Sequence, residues 1–226
     1  MKKYAVIVAA GSGTRMGKEI PKQFLTLGAR PILYYTLDAF FTAYPDINVI
    51  LVISPRYMKW GEDIAKAFHD FSITLAEGGK TRFQSVKNGL SLIHDHSVIF
   101  VHDGVRCLVT GQLIRHCYEQ AIVKGSSIPT VAVTETVRIL EGDNHHMLDR
   151  NLVRMVQTPQ TFLSTILLRA YETEEKGHFT DEASVVEHSG EKVYLIEGEY
   201  TNVKITRPQD MAIAEEILRL RGLATE

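Results

Sequence analysis

The residues best suited to chemistry lie in the first two dozen positions. The apolar run Tyr4 to Ala10 ends on Gly11-Ser12-Gly13, and Arg15, Lys18 and Lys22 lie close behind. Small residues let backbone N–H groups turn onto an anion, and the cations reinforce the attraction, so Ala9, Ala10, Gly11 and Gly13 read as a phosphate-binding loop and therefore a nucleotide site. Two familiar glycine patterns do not fit. A dinucleotide G-x-G-x-x-G needs glycine where Met16 stands, and a P-loop needs glycine at Ser12 and Ser or Thr at Glu19.

Two further motifs carry polar groups to the ends of expected strands. Gly78-Gly79-Lys80-Thr81-Arg82-Phe83-Gln84-Ser85 is a turn opening a helix, whose N-terminal N–H groups favour an acceptor or anion. His102-Asp103-Gly104-Val105-Arg106 comes directly after the apolar run Val98 to Val101. Asp103 there is a natural Mg²⁺ ligand beside a triphosphate, and an ion pair with Arg106 is the plainer alternative. His102 is expected to pack against the sheet rather than to react.

Positioning these loops requires strands that alternate with helices. Strand-like runs at Tyr4–Ala10, Ile47–Ile53, Ile73–Ala76, Val98–Val101 and Ile128–Val133 are separated by helical patterns at Pro31–Tyr44, Ser54–His69, Thr81–His94 and Gly111–Lys124. That alternation predicts parallel βαβ units in an α/β protein. Ligands of open α/β sheets bind beyond the carboxyl ends of the strands, where all three motifs fall.

The alternation breaks at Thr134 to Gln157, a turn-rich stretch around Glu141-Gly142-Asp143-Asn144 that reads as a projecting β-arm. Helices near Leu163–Glu174 and Thr180–His188, strands at Lys192–Glu197 and Asn202–Ile205, and a last helix opened by a Thr206-Arg207-Pro208-Gln209 capping box complete the chain.

Composition narrows the function classes. With 25 basic against 27 acidic residues in 226 and no long charge run, no broad nucleic-acid footprint is expected. Cys107 and Cys117 are too few for a disulfide framework, and the N-terminal apolar run is too short for a membrane span or a signal peptide, which points to the cytoplasm. No linker or repeat divides the chain, so a single domain over 1–226, with an arm at about 134–157, is expected.

The first loop resembles the A-[AG]-G-x-G-x-R-M…P-K signature of nucleotidyltransferases that join a nucleoside triphosphate to a sugar or polyol phosphate. With Pro21-Lys22-Gln23, Gly78-Gly79-x-x-Arg82-x-x-Ser85-Val86, His102-Asp103-x-x-Arg106, Asp149-Arg150, Gln157-Thr158-Pro159-Gln160, Thr180-Asp181-Glu182 and Asn202-x-Lys204-x-Thr206-x-Pro208 in this order, the chain is similar throughout to the 2-C-methyl-D-erythritol 4-phosphate cytidylyltransferases.

That resemblance implies a Rossmann-like nucleotidyltransferase fold, with a mostly parallel central sheet flanked by helices and a projecting β-arm, and transfer of CMP from CTP to a polyol phosphate with Mg²⁺. It places Arg15, Lys22 and the first loop on the CTP phosphates. Gly78, Gly79 and Ser85 fall at the cytosine, and Asp103 and Arg106 at the ribose and metal. Thr136, Arg150, Thr158, Thr180 and Lys204 fall on the acceptor side, with Lys204 also near the reacting phosphate. Thr180 is equally expected as a helix N-cap, and Thr158 as an extended residue before proline. The resemblance also implies a homodimer through the arm. Gly104-Val105 and Cys107 replace the small pair and proline usual around Arg106, which predicts a looser ribose loop. A ribitol-5-phosphate cytidylyltransferase is the near alternative, and a non-catalytic nucleotide-binding regulator the distant one.

Overall fold

The computed structural model describes residues 1–11 and 20–223. In chain order these form β1 (Lys2–Ala9), β2 (Thr26–Leu27), β3 (Arg30–Pro31), α1 (Ile32–Ala43), β4 (Asn48–Ile53), α2 (Met58–Lys66), β5 (Ile73–Glu77), α3 (Arg82–Leu90), β6 (Ser97–Asp103) and α4 (Gly111–Lys124). Next come β7 (Ser126–Ala132), β8 (Val137–Glu141), β9 (Asn144–Leu148), β10 (Arg154–Val156), β11 (Gln160–Leu163), α5 (Ser164–Ala170), α6 (Glu182–His188), β12 (Leu195–Glu197) and α7 (Pro208–Leu220).

The main sheet runs β10-β7-β11-β6-β1-β4-β5, with β12 also paired to β7. Strands β6, β1, β4 and β5 are parallel, and β11 returns antiparallel between β6 and β7. The chain builds outward from β1 through β4 to β5, then crosses back to β6 on the other side of β1. The order therefore reverses between β1 and β6, and a crevice opens there beyond their carboxyl ends.

Both faces of the sheet are covered, which is why its strands read as continuous apolar runs. Successive residues of β1 point to opposite faces. Ala5, Ile7 and Ala9 join Phe40, Phe41, Leu113 and Ile114 of α1 and α4, whereas Val6 joins Val86, Leu167 and Val186 of α3, α5 and α6. Each fully buried side chain such as Phe40 or Phe100 contributes about 1.5–3 kcal/mol through area removed from water. A third cluster packs α7, through Ala214 and Leu218, against Leu27, Ile32, Val105, Cys107, Leu108 and Ile205. It fixes from behind the segments that carry Arg106 and Lys204. Cys107 and Cys117 are buried free thiols, each pushed up to about 12 by burial.

Several boundaries differ from the sequence pattern. Asn202–Ile205 forms no strand, because Ile205 N–H reaches Val105 O at 3.1 Å without a ladder to extend it. Gln160–Leu163 is a strand that the sequence pattern does not assign, and the helix expected near Leu163–Glu174 is the shorter Ser164–Ala170. Helix α7 is entered through Asp210, not Gln209: its carboxylate accepts from the N–H of Thr206 and of Arg207 and from the Thr206 hydroxyl. The hairpin β8–β9 turns where expected, with Gly142 at φ 61°, but the chain rejoins the main sheet at β10. Among the described residues no helix is long and apolar enough to cross a membrane.

Candidate active site

A hollow of about 450 Å³ opens at the β1–β6 crevice and is lined by Ala9, Ala10, Gly11, Lys22, Gly79 and Ser85, with Arg82, Asp103 and Lys204 at one side. A smaller hollow of about 210 Å³ holds Arg106, Thr158, Thr180 and Asp181, and again Arg82, Asp103 and Lys204. Those last three residues are therefore a shared wall between two chambers.

The walls of the larger hollow are held by backbone-directed bonds. The Gln23 amide nitrogen donates to Ala9 O at 2.6 Å and to Gly11 O at 3.1 Å, pinning the end of β1. Gly78 N–H donates to Ile53 O at 2.8 Å, which ties the start of the second loop to the end of β4. A side chain on Gly78 would collide with the Ala10 methyl, and one on Gly79 with Gln84, so close approach demands glycine at both. Ser85 Oγ accepts from Gly79 N–H at 3.1 Å and donates to Thr81 O at 2.8 Å, so its hydroxyl shapes that turn. Thr81 caps α3 by accepting from Gln84 N–H.

Charge is concentrated on the shared wall. Asp103 is 7% exposed, with Lys204 Nζ at 2.8 Å from Oδ2, Arg106 Nε at 3.5 Å from the same oxygen, and Arg82 at 3.4 Å from Oδ1. Burial alone would raise this carboxyl, but Arg82, Lys204 and Arg106 together hold it well below the usual carboxylate range. Arg82 is bidentate to Glu182, which Tyr171 also approaches at 3.2 Å. Burial disfavours that guanidinium's charge, and Glu182 and Asp103 more than restore it. The ion pair between Asp103 and Arg106 is thus present as part of a larger cluster.

The other expected residues do not all reach the hollows. Lys22 Nζ donates to Ile205 O at 2.8 Å, beside Lys204, so both lysines reach the same end of the crevice. Thr180 lies at the rim of the smaller hollow, and the N-cap of α6 is Asp181, whose carboxylate accepts from Ser184 N–H. Thr158 is 4% exposed and spends its hydroxyl on Asp103 N–H and on His102. Thr136 and Arg150 line neither hollow: both are exposed at the arm, where Arg150 donates to Thr134 O. Gly13 and Arg15 lie outside the described residues.

Two side chains with no role assigned from sequence are central. Arg82 stands at the first position of α3, where a cation opposes the helix dipole, so it needed a partner or a ligand; that conflict was the readable signal. Glu182 had no such signal, since only the fold brings it to Arg82.

Among the described residues no group of three or more His, Cys, Asp or Glu could hold a metal alone. Asp103 is the carboxylate at the crevice that a Mg²⁺ taking its remaining ligands from a triphosphate would use, and it would share that carboxylate with Arg82 on Oδ1 and Lys204 and Arg106 on Oδ2.

This fold, with its joined chambers at the reversal of strand order, defines a Rossmann-like nucleotidyltransferase. The family model for 2-C-methyl-D-erythritol 4-phosphate cytidylyltransferase, IspD, matches residues 4–220. Proteins of that name from Bacteroides fragilis and Porphyromonas gingivalis are 45% and 41% identical, each match covering 96% of this chain and 100% and 98% of the relative's. The solved structure of 4-diphosphocytidyl-2C-methyl-D-erythritol synthase from Anaerococcus prevotii is 30% identical with a TM-score of 0.83, covering 96% of this chain and 98% of its own. A 2-C-methyl-D-erythritol 4-phosphate cytidylyltransferase from Thermus thermophilus is 32% identical with a TM-score of 0.78, covering 97% and 100%. The chain belongs to the 2-C-methyl-D-erythritol 4-phosphate cytidylyltransferase family, and is a cytidylyltransferase.

Proposed function

We propose that the chain transfers CMP from CTP to 2-C-methyl-D-erythritol 4-phosphate, releasing pyrophosphate, with the reaction centred on the wall between the two hollows. The observation that carries this reading is that Arg82, Asp103 and Lys204 border both chambers, so a triphosphate in one and a phosphate in the other meet across a cationic partition. Family membership supports the substrates.

An acceptor phosphate oxygen attacks the α-phosphorus, the bond to the bridging oxygen breaks, and pyrophosphate carries away the electron pair. A phosphate dianion is already nucleophilic, so no side chain need act as base. Positioning and charge neutralisation do the work. Lys22 and Arg15 offset charge growing on the α-phosphate and pyrophosphate. Lys204 guides the acceptor phosphate, which requires it to exchange Asp103 for substrate. Gly78, Gly79 and Ser85 hold the cytosine, while Asp103 and Arg106 serve the ribose side. Asp103 would also hold Mg²⁺, which when bound neutralises phosphate charge. Thr180 lies at the acceptor chamber, and Thr158 acts beneath it.

Thr136 and Arg150 reach an acceptor chamber only if the arm crosses to a neighbouring subunit, so the reading includes a homodimer in which the arm at about 134–157 completes the partner's site. The exposed apolar side chains of the hairpin support that pairing, since a solvated two-stranded ribbon is marginal alone. Buried thiols suit a reducing cytoplasm.

Pyrophosphate release from CTP and Mg²⁺ with methylerythritol phosphate, compared with ribitol 5-phosphate at identical concentrations, tests the reading. A higher kcat/KM with methylerythritol phosphate is expected. An equal or higher value with ribitol phosphate would overturn the acceptor assignment, and no release with either would overturn the enzyme reading.

A further inference from the structure

The side chain of His102 is fully buried, packs edge-on against Phe40 at 5.1 Å and touches neither hollow, yet one ring nitrogen is bonded to the turn that carries Asp103 and Arg106 and the other to Thr158, which is itself bonded to that turn. Nε2 lies 3.2 Å from Arg106 O, and Nδ1 lies 3.0 Å from Thr158 Oγ1. A carbonyl oxygen only accepts, so Nε2 carries the proton in that contact. In a neutral ring Nδ1 must then accept, and the Thr158 hydroxyl donates to it. That hydroxyl in turn accepts from Asp103 N–H at 3.1 Å. The result is a directional chain from Asp103 N–H through the Thr158 hydroxyl and the imidazole to Arg106 O.

The chain grips the turn at both ends. Arg106 N–H also donates to Asp103 O at 2.9 Å, so the four residues close a tight loop with the imidazole behind it. Asn202 ties the same ring from the other side: its amide donates to Thr158 O at 2.9 Å, and Arg106 Nη1 donates to Asn202 O at 2.8 Å. The turn contains Gly104 and lacks a proline, so its stiffness must come from such bonds.

We infer that His102 is a positioning residue for cytidylyl transfer, which with Thr158 fixes the Asp103–Arg106 turn against the nucleotide, and that Thr158 acts through this turn rather than by contact with the acceptor. This rests on the reading of Asp103 and Arg106 as nucleotide-side residues. Each link of the chain from Asp103 N–H through the Thr158 hydroxyl and the imidazole to Arg106 O is made, so the chain holds one geometry, and a misplaced reacting group is costly.

The test uses the full-length protein with His102→Gln, His102→Phe, Thr158→Val, Thr158→Ser and the Thr158→Val/His102→Phe double variant. Thr158→Val and His102→Phe should each lower kcat by about 10- to 100-fold and raise KM for CTP, leaving KM for the acceptor unchanged. Thr158→Ser should recover most of the loss, and His102→Gln part of it. The double variant should be no worse than His102→Phe, because both single changes break one chain. A raised acceptor KM in Thr158→Val with unchanged CTP parameters would overturn the inference in favour of direct acceptor contact, as would unaltered kcat in both His102 variants. Should His102→Phe fail to fold, ¹⁵N imidazole spectra of the wild type decide: a proton on Nε2 with Nδ1 accepting is expected, and a proton on Nδ1 overturns the chain. Asp103→Asn, assayed in parallel, separates the two claims. Full activity in that variant would fell the reading of the nucleotide site, whereas its loss beside intact His102 variants would fell only the positioning inference.

Discussion

The wall around Asp103 and the hairpin β8–β9 are opposites in construction. Three segments far apart in sequence, carrying Arg82, the Asp103–Arg106 turn and Lys204, meet at the buried carboxylate of Asp103, and each cation has a protein partner. The hairpin pairs only with itself, and it and the segment after it leave Leu140, Met147 and Leu152 exposed at 77%, 65% and 81%. The wall is complete within one chain, while the arm carries the proposed acceptor-side residues Thr136 and Arg150 on an element that its own chain does not pack. The difference separates what the proposed function asks of one subunit, to hold and neutralise a triphosphate, from what the proposed dimer adds.

The largest expected effects are at the wall. Lys204→Ala and Lys22→Ala should each reduce single-turnover rates by about 10²–10³ while changing CTP affinity far less, because their contribution grows with the charge of the transition state. Rapid-quench kinetics beside CTP titration would read both, and near-normal chemistry would remove these lysines from the mechanism. Asp103→Asn differs in kind: it leaves Arg82, Arg106 and Lys204 facing one another without their anion. It should cost about 3 kcal/mol of stability as well as turnover. Asp103 is thus part of the fold as well as the site.

Next comes the proposed sharing of sites. Mixing Arg150→Ala subunits with Lys22→Ala subunits creates, in each mixed dimer, one site with both defects and one with neither. Activity should reappear on subunit exchange. If exchange is proven by mass and no activity returns, Arg150 does not act across the interface. Leu140→Asp with Met147→Asp gives a milder result: sedimentation should report monomers that still bind CTP but turn over poorly. A variant that stays dimeric would place the interface elsewhere.

The same contrast explains how much of the molecule was legible in its sequence. β1, β4 and β6 stood out because strands covered on both faces are continuous apolar runs, and the first loop and Asp103 could be found at the carboxyl ends of such runs. The hairpin was legible through Gly142 and its polar neighbours. By contrast, β11 is only four residues beside Pro159, too short to show a period. Lys204 was expected on a strand because Val203 and Ile205 alternate with polar residues, but those side chains answer to α7 and Val105 rather than to a ladder. The Arg82–Glu182 pair was invisible because the two residues are 100 positions apart. For Thr158 a motif records that the residue matters, not which way its hydroxyl turns, and only the fold shows that hydroxyl bonded to Asp103 N–H and His102.

The smallest effect sharpens the comparison through pH. Burial lowers His102 from its ordinary 6.5 to about 3, against the pull of Asp103, so the folded protein keeps this ring neutral where an unfolded chain protonates it. Between pH 6.5 and about 3 the unfolded state binds one more proton at this position. Stability therefore falls as pH falls through that window, by up to about 1.4 kcal/mol per pH unit from this group. Asp103 acts in the same direction but lower: its depressed carboxyl contributes stability above the unfolded value of about 3.9, lost as pH drops below that toward the folded value. The range from about pH 6.5 to 4.5 therefore belongs to His102 rather than to Asp103. Denaturant unfolding of wild type and His102→Gln at about pH 7, 6 and 5 isolates the group, since every other titrating residue is common to both proteins. Wild type should start more stable at neutral pH and lose its advantage steadily on acidification. A difference that stays constant with pH would mean that the native ring accepts a proton as readily as the unfolded one, which is incompatible with a neutral imidazole sealed behind the Asp103–Arg106 turn.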